Sequence, residues 1–116
     1  MWIASKYGFF SVVNKDSGYH VRARCLGDLK LLRAAVGGDF AEQPIHETPD
    51  ADYCARIFIP ENSKAELHAL FAALGESIDY GNFKDAIHHI PSQKSKLPFY
   101  TRVWTALYEF QRKSRP

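Results

Sequence analysis

Cysteine is scarce: the 116-residue chain holds only Cys25 and Cys54, with no CxxC spacing. That excludes a disulfide-built miniprotein and a thiolate metal cluster. Both thiols lie among apolar neighbours and read as reduced and buried, since Cys packs as a small hydrophobe. A bridge between them would require their strands to be neighbours. Long hydrophobic runs are missing as well. No stretch approaches the roughly 18 to 20 apolar residues of a membrane span. Met1-Trp2-Ile3-Ala4-Ser5-Lys6 lacks the charged lead and apolar stretch of a signal peptide, so the expectation is a cytoplasmic chain with no membrane partner. Charge of one sign is not in excess: 15 Lys and Arg against 13 Asp and Glu leave +2. A dedicated nucleic-acid binder carries more, so any basic patch must come from local segregation, as in the terminal cluster Arg112, Lys113 and Arg115. Catalytic signatures are absent too. There is no glycine-rich phosphate loop, no GxSxG and no HExxH, and the pattern calls for no cofactor.

What is present is a core. Hydrophobic residues make up 46% of the chain and aromatics 14%, enough for one self-sufficient domain over 1–116. Residues 2–13 are aromatic and β-branched and predict one strand, kinked or bulged at Gly8. Asn14-Lys15-Asp16-Ser17-Gly18 is a turn. The strand that follows alternates, with Val21, Ala23 and Cys25 facing one way and His20, Arg22 and Arg24 the other. A helix over 28–36, carrying Leu29, Leu32 and Val36, stops at Gly37-Gly38.

Ile45-His46-Glu47 and 53–59 read as two more strands, the second ended by Pro60. Ser63 and Glu66 form a capping-box pattern before a helix with the stripe Leu67, Leu70, Phe71, Leu74 and Ile78. A short helix over 82–90, capped by Asp79 or Asn82, packs through Phe83, Ile87 and Ile90. Pro98 suits the first turn of a last helix that buries Tyr100, Val103, Trp104 and Leu107.

The element order suggests a tandem ββα repeat, 2–37 and 43–78, followed by C-terminal helices and a basic tail over 79–116. Tyr19-x-x-Arg22 matches Tyr53-x-x-Arg56, and Ala34-Ala35-Val36-Gly37 matches Ala72-Ala73-Leu74-Gly75. The expected fold is α+β: a four-stranded antiparallel sheet with two helices on one face and two further C-terminal helices.

The polar face of the second strand is the candidate site. Residues two apart on a strand share a face, so His20, Arg22 and Arg24, joined by Arg56, can hold a phosphate or carboxylate through forked hydrogen bonds. The competing reading pairs these arginines with Glu47, Asp50, Asp52 or Glu109 on a solvated face. Tyr53, Tyr80 and Lys84 are candidates for the border of the site. The run 6–12 does not fit the aromatic strand of an RNA-recognition motif. Phe9 and Phe10 are adjacent and must face opposite ways, which suits core packing instead.

The five histidines show no metal spacing, and adjacent His88 and His89 diverge by about 100° on a helix. An acid/base pair of His20 and His46 would require their strands to be neighbours in register.

The motifs Trp2-Ile3, Gly8-Phe9-Phe10-Ser11-Val12, Val21-Arg22-Ala23-Arg24, Thr48-Pro49-Asp50-Ala51-Asp52-Tyr53, Ile78-Asp79-Tyr80-Gly81-Asn82-Phe83-Lys84 and Tyr100…Val103-Trp104 resemble a family of small uncharacterised bacterial proteins. The likeness runs from residue 2 to about residue 108. It implies a stand-alone bacterial cytosolic domain and carries no catalytic residues with it.

These features together predict a small binding or regulatory protein acting through a protein partner or an anion on its Arg-bearing face. An inhibitor of a bacterial or phage-related machine, or a homodimer, would have this character. One alternative is nucleic-acid binding, with the cations of 94–96 and 112–115 added to the same arginines. The other is a metal-free hydrolase or phosphodiesterase using His20 or His46 with an arginine as oxyanion stabiliser.

Overall fold

A computed structural model describes residues 1–114; Arg115 of the terminal basic cluster lies outside the described residues. The fold is α+β with one antiparallel sheet. The chain divides into two compact units, Met1–Asp79 and a second beginning at Tyr80. Charge segregates between them. Residues 1–79 hold eight Lys and Arg against eleven Asp and Glu, a net −3, whereas 80–116 hold seven against two, a net +5.

The sheet has five strands, not the expected four, because the run 2–13 folds back on itself. β1 (Trp2–Ser5) and β2 (Gly8–Lys15) form a hairpin closed by Lys6-Tyr7. The Ser5 hydroxyl fastens the turn by accepting from the Tyr7 N–H (3.2 Å) and donating to the Gly8 carbonyl (3.1 Å). Gly8 adopts φ +149°, and a Cβ there would collide with the carboxyl of Asp28. That buried carboxylate accepts the Phe9 N–H at 3.2 Å. The glycine is therefore required by both its dihedral and its neighbour.

β2 turns into β3 (Gly18–Ala23) through Asp16 and Ser17, both at positive φ, the geometry of a tight two-residue hairpin. β4 (Ile45–Glu47) and β5 (Ala55–Pro60) complete the order β1-β2-β3-β5-β4.

One sheet face forms the core. Phe10, Val12, Val21, Ala23, Ala55, Ile57 and Ile59 are buried there under Leu29 and Leu32 of α1 (Leu26–Val36) and Leu70 and Leu74 of α3 (Lys64–Glu76). Between these helices Gly37 and Gly38, both at positive φ, end α1 and let the chain re-enter a short α2 (Gly38–Glu42) that seats the buried Phe40. The expected capping box does not form. Ser63 makes no cap bond, and Glu66 instead accepts two bonds from the Gln43 amide, at 3.0 and 3.1 Å, tying α3 to the end of α2. The helix stops at Glu76, so Ile78 is exposed rather than part of the stripe.

The second unit contains α4 (Phe83–His88) and α5 (Leu97–Lys113). Asn82 caps α4 by accepting the N–H groups of Lys84 and Asp85 (2.9 and 3.3 Å). Ile87 is buried, and the Phe83 and Tyr100 rings meet edge-on at 5.1 Å. Pro98 lies in the first turn of α5 as expected. The expected burial of α5 does not occur. None of its residues is buried, and Val103, Trp104 and Leu107 are each more than half exposed.

Length explains this within the unit. At 1.5 Å per residue α4 spans about 9 Å and α5 about 25 Å, so α4 covers only the Tyr100 end of the longer helix. The helix remains strongly two-sided, with Phe99, Tyr100, Val103, Trp104 and Leu107 on one arc and Thr101, Thr105, Glu109 and Arg112 on the other.

Candidate anion-binding site

The sheet face opposite the core carries the polar residues of β3. Antiparallel partners project to the same side, and register aligns Trp2, Ser11, Arg22, Arg56 and His46 in one row across all five strands. Neighbours in such a row stand about 5 Å apart. Arg22 is thus directly opposite Arg56. Like charges so placed repel, yet among the described residues no carboxylate lies within ion-pair distance of Arg22, Arg24 or Arg56. The expected alternative pairing with Glu47, Asp50 or Asp52 is not made within this unit, and Glu109, the fourth candidate, belongs to the second unit; Arg24 bonds to the backbone carbonyl of Asp52, not its carboxylate (2.6 Å).

Local structure fixes the first guanidinium. Arg22 Nη2 donates to the Ser11 hydroxyl at 2.7 Å, and the guanidinium carbon lies 4.5 Å from the centre of the Tyr53 ring. Arg24, exposed beyond the end of β3, covers the same ring at 4.2 Å. Tyr53 is buried beneath the two cations, a cation–π arrangement that orients both. It belongs to a folded loop ahead of β5, not to the strand itself. Thr48 N–H donates to the Cys54 carbonyl (2.7 Å), the Thr48 hydroxyl to the Tyr53 carbonyl (2.7 Å), and Tyr53 N–H to the Asp52 carboxylate (2.9 Å). Turn chemistry in 48–52 was legible; its role as a seat for a ring under two arginines was not.

Arg56 is half-buried, and its Nε, like that of Arg22, is buried without an acceptor. Leaving such a donor unpaired costs about 1–3 kcal/mol.

His20 occupies the adjacent row, between Val13 and Phe58. Its ring meets Phe58 edge-on at 5.1 Å, and Asp16 Oδ2 stands 3.1 Å from Nε2 without satisfying hydrogen-bond geometry. Burial, reinforced by the positive charges of Arg56 and Lys15, holds its pKa below the usual histidine value, with Asp16 opposing only in part. His20 is therefore neutral at pH 7 and contributes polarity rather than charge.

His46 lies across from Arg56 on β4, but β5 separates β4 from β3. The two histidines are not cross-strand neighbours, and the acid/base pair expected of a hydrolase is not assembled.

The row also contains residues the composition did not single out. Ser11 is the one polar residue in Phe9-Phe10-Ser11-Val12-Val13 and faces away from the core between Phe9 and Val13, a signal available from alternation. Trp2, 75% exposed, lies 6.2 Å from the Phe9 ring. Phe9 and Phe10 do face opposite ways, Phe10 into the core and Phe9 onto this polar face.

Tyr80 and Lys84 belong to the second unit, where the Lys84 amine lies 5.9 Å from the Trp104 ring and Tyr80 is exposed. Lys94, Lys96, Arg112 and Lys113 lie there too, so the cations expected to form one phosphate-binding surface are divided between two units. Cys25 and Cys54 are half-buried rather than buried, and the Cys54 thiol donates to the Arg24 carbonyl at 3.0 Å. Among the described residues no group of three or more His, Cys, Asp or Glu is placed to hold a metal ion, and no helix is long and apolar enough to cross a membrane.

Compared with protein-family models, curated proteins and solved structures, the chain matches none.

Proposed function

We propose that the first unit is an anion-recognition module. Arg22 and Arg56 hold a phosphate or carboxylate group between them, Ser11 and Tyr53 orient Arg22, and Arg24 forms the rim. The protein then acts by occupancy, as a small regulator or inhibitor would, without a chemical step. The observation that carries this reading is the direct cross-strand opposition of Arg22 and Arg56, with no carboxylate within ion-pair distance of either among the described residues. An oxyanion between them would relieve the repulsion and supply an acceptor for the orphaned donors. The net −3 of this unit favours a single anionic group over a long polyanion, because the attraction is confined to the arginine row.

A ββα duplication is part of the same proposal. It would relate β2-β3-α1 to β4-β5-α3 about the β3–β5 border, where Arg22 meets Arg56, with β1 and α2 as additions.

Calorimetric titration of the full chain with sodium phosphate tests the site. Charge-assisted hydrogen bonds contribute about 1.5–3 kcal/mol, so Arg22→Gln and Arg56→Gln should each weaken binding roughly tenfold or more. Unchanged affinity in either folded variant would overturn the proposal.

A further inference from the structure

Trp2 is hard to explain as a core residue. It is 75% exposed, yet its backbone is pinned: the Met1 amine donates to the Val12 carbonyl (3.1 Å) and the Val12 N–H returns to Met1 (2.9 Å). Its side chain shares the row of Ser11, Arg22 and Arg56, and Phe9 backs the indole on the same face at 6.2 Å and 56°. A backbone-pinned, exposed ring in one row with two arginines that have no carboxylate partner among the described residues presents two complementary surfaces. One is a π-face for a planar ring, the other a fork for an oxyanion.

We propose that the ligand of this face is a nucleoside monophosphate, with its phosphate on Arg22 and Arg56 and its base stacked on Trp2. This rests on the anion-recognition reading above. The spacing supports it. Trp2 and Arg22 are two strands apart, about 10 Å between backbones, which leaves room for a sugar between phosphate and base once both side chains reach inward. A phosphate attached directly to an aromatic ring, as in phosphotyrosine, is too short to engage both ends. Ser11 lies between Trp2 and Arg22 in the row and holds the Arg22 guanidinium through its hydroxyl at 2.7 Å, on the side that faces the ring. The net −3 of the unit selects one nucleotide rather than a strand, since each further phosphate would leave the arginine row for a repulsive surface.

The test is titration of the full chain with adenosine 5′-monophosphate, inorganic phosphate, adenosine and a short single-stranded oligonucleotide. Binding is followed by calorimetry and by Trp2 fluorescence in a Trp104→Phe background. Base–aromatic stacking predicts that the monophosphate binds at least about tenfold more tightly than inorganic phosphate and quenches Trp2. Trp2→Ala should erase that difference, and Trp2→Phe, which keeps a ring, should restore part of it. Equal affinities for the monophosphate and inorganic phosphate, or an advantage that survives Trp2→Ala, would overturn the nucleotide assignment and leave the anion site standing. Affinity that climbs with oligonucleotide length would overturn the single-nucleotide assignment in favour of a strand. Absence of binding by either phosphate-bearing ligand would overturn both readings.

Discussion

Replacing Arg56 by Met should make the unliganded protein more stable while destroying its anion site. Met keeps the unbranched apolar stem at a position opposite His46 and on the same sheet face as Phe58, and removes only the charged head. Two terms act in the same direction. Directly opposed like charges destabilise a sheet by about 0.2–1 kcal/mol. The buried Arg56 Nε without an acceptor adds part of the 1–3 kcal/mol such a group costs. Loss of guanidinium packing and partial solvation of the head reduce the sum, leaving a net gain of about 0.5–1 kcal/mol. For a unit of this size that raises the melting temperature by roughly 2–8 °C.

Circular dichroism melts in low-salt, phosphate-free buffer would measure the gain. Added salt should narrow it by screening the wild-type repulsion. Phosphate should stabilise wild type by mass action and leave Arg56→Met unchanged. A variant less stable than wild type by 1 kcal/mol or more without any anion would refute the reasoning, because Arg56 would then have a structural partner.

Gly8→Ala should destabilise the first unit by about 2 kcal/mol or more, combining the positive φ with the collision against Asp28; wild-type urea stability would contradict that role. His20 should titrate below 6.5 by NMR. Its folded pKa is depressed, so the unfolded chain binds the proton more readily. The stability this contributes is complete above pH 6.5 and is lost as pH falls toward the folded pKa. His20→Gln should flatten that part of the stability–pH curve, and a folded midpoint at or above 6.5 would contradict the burial argument.

The β3 pattern was legible because period-two alternation directly reports a sheet with one buried face: Val21 and Ala23 went in, His20 and Arg22 went out. The same alternation on β5 put Arg56 on the polar face. That the two arginines stand directly opposite follows from β3 pairing with β5, a long-range choice that no local spacing encodes. The hairpin at Lys6-Tyr7 was hidden because neither residue is a turn former. Its signals were the polar Ser5 and the glycine three residues later, which fit a strand kink equally well.

Tyr53 looked like the first residue of a strand because aromatics favour strands, whereas the Thr48 and Asp52 side chains bind the backbone there into a loop. For α5, periodicity identified an apolar face but not what covers it, since amphipathicity describes one surface and burial needs two. The capping box failed for a related reason: Glu66 found Gln43, a partner from another element, before it could close on its own helix.

The most direct measurement is an NMR titration of isotopically labelled protein with phosphate, following backbone amides and arginine Nε–H signals. The expected result is a saturable shift of the Arg22 and Arg56 Nε–H resonances, with the amides of Ser11 and the facing β3 and β5 residues moving in step. Shifts confined to Lys94, Lys96, Arg112 and Lys113, or arginine signals that do not respond, would contradict an anion site on the sheet.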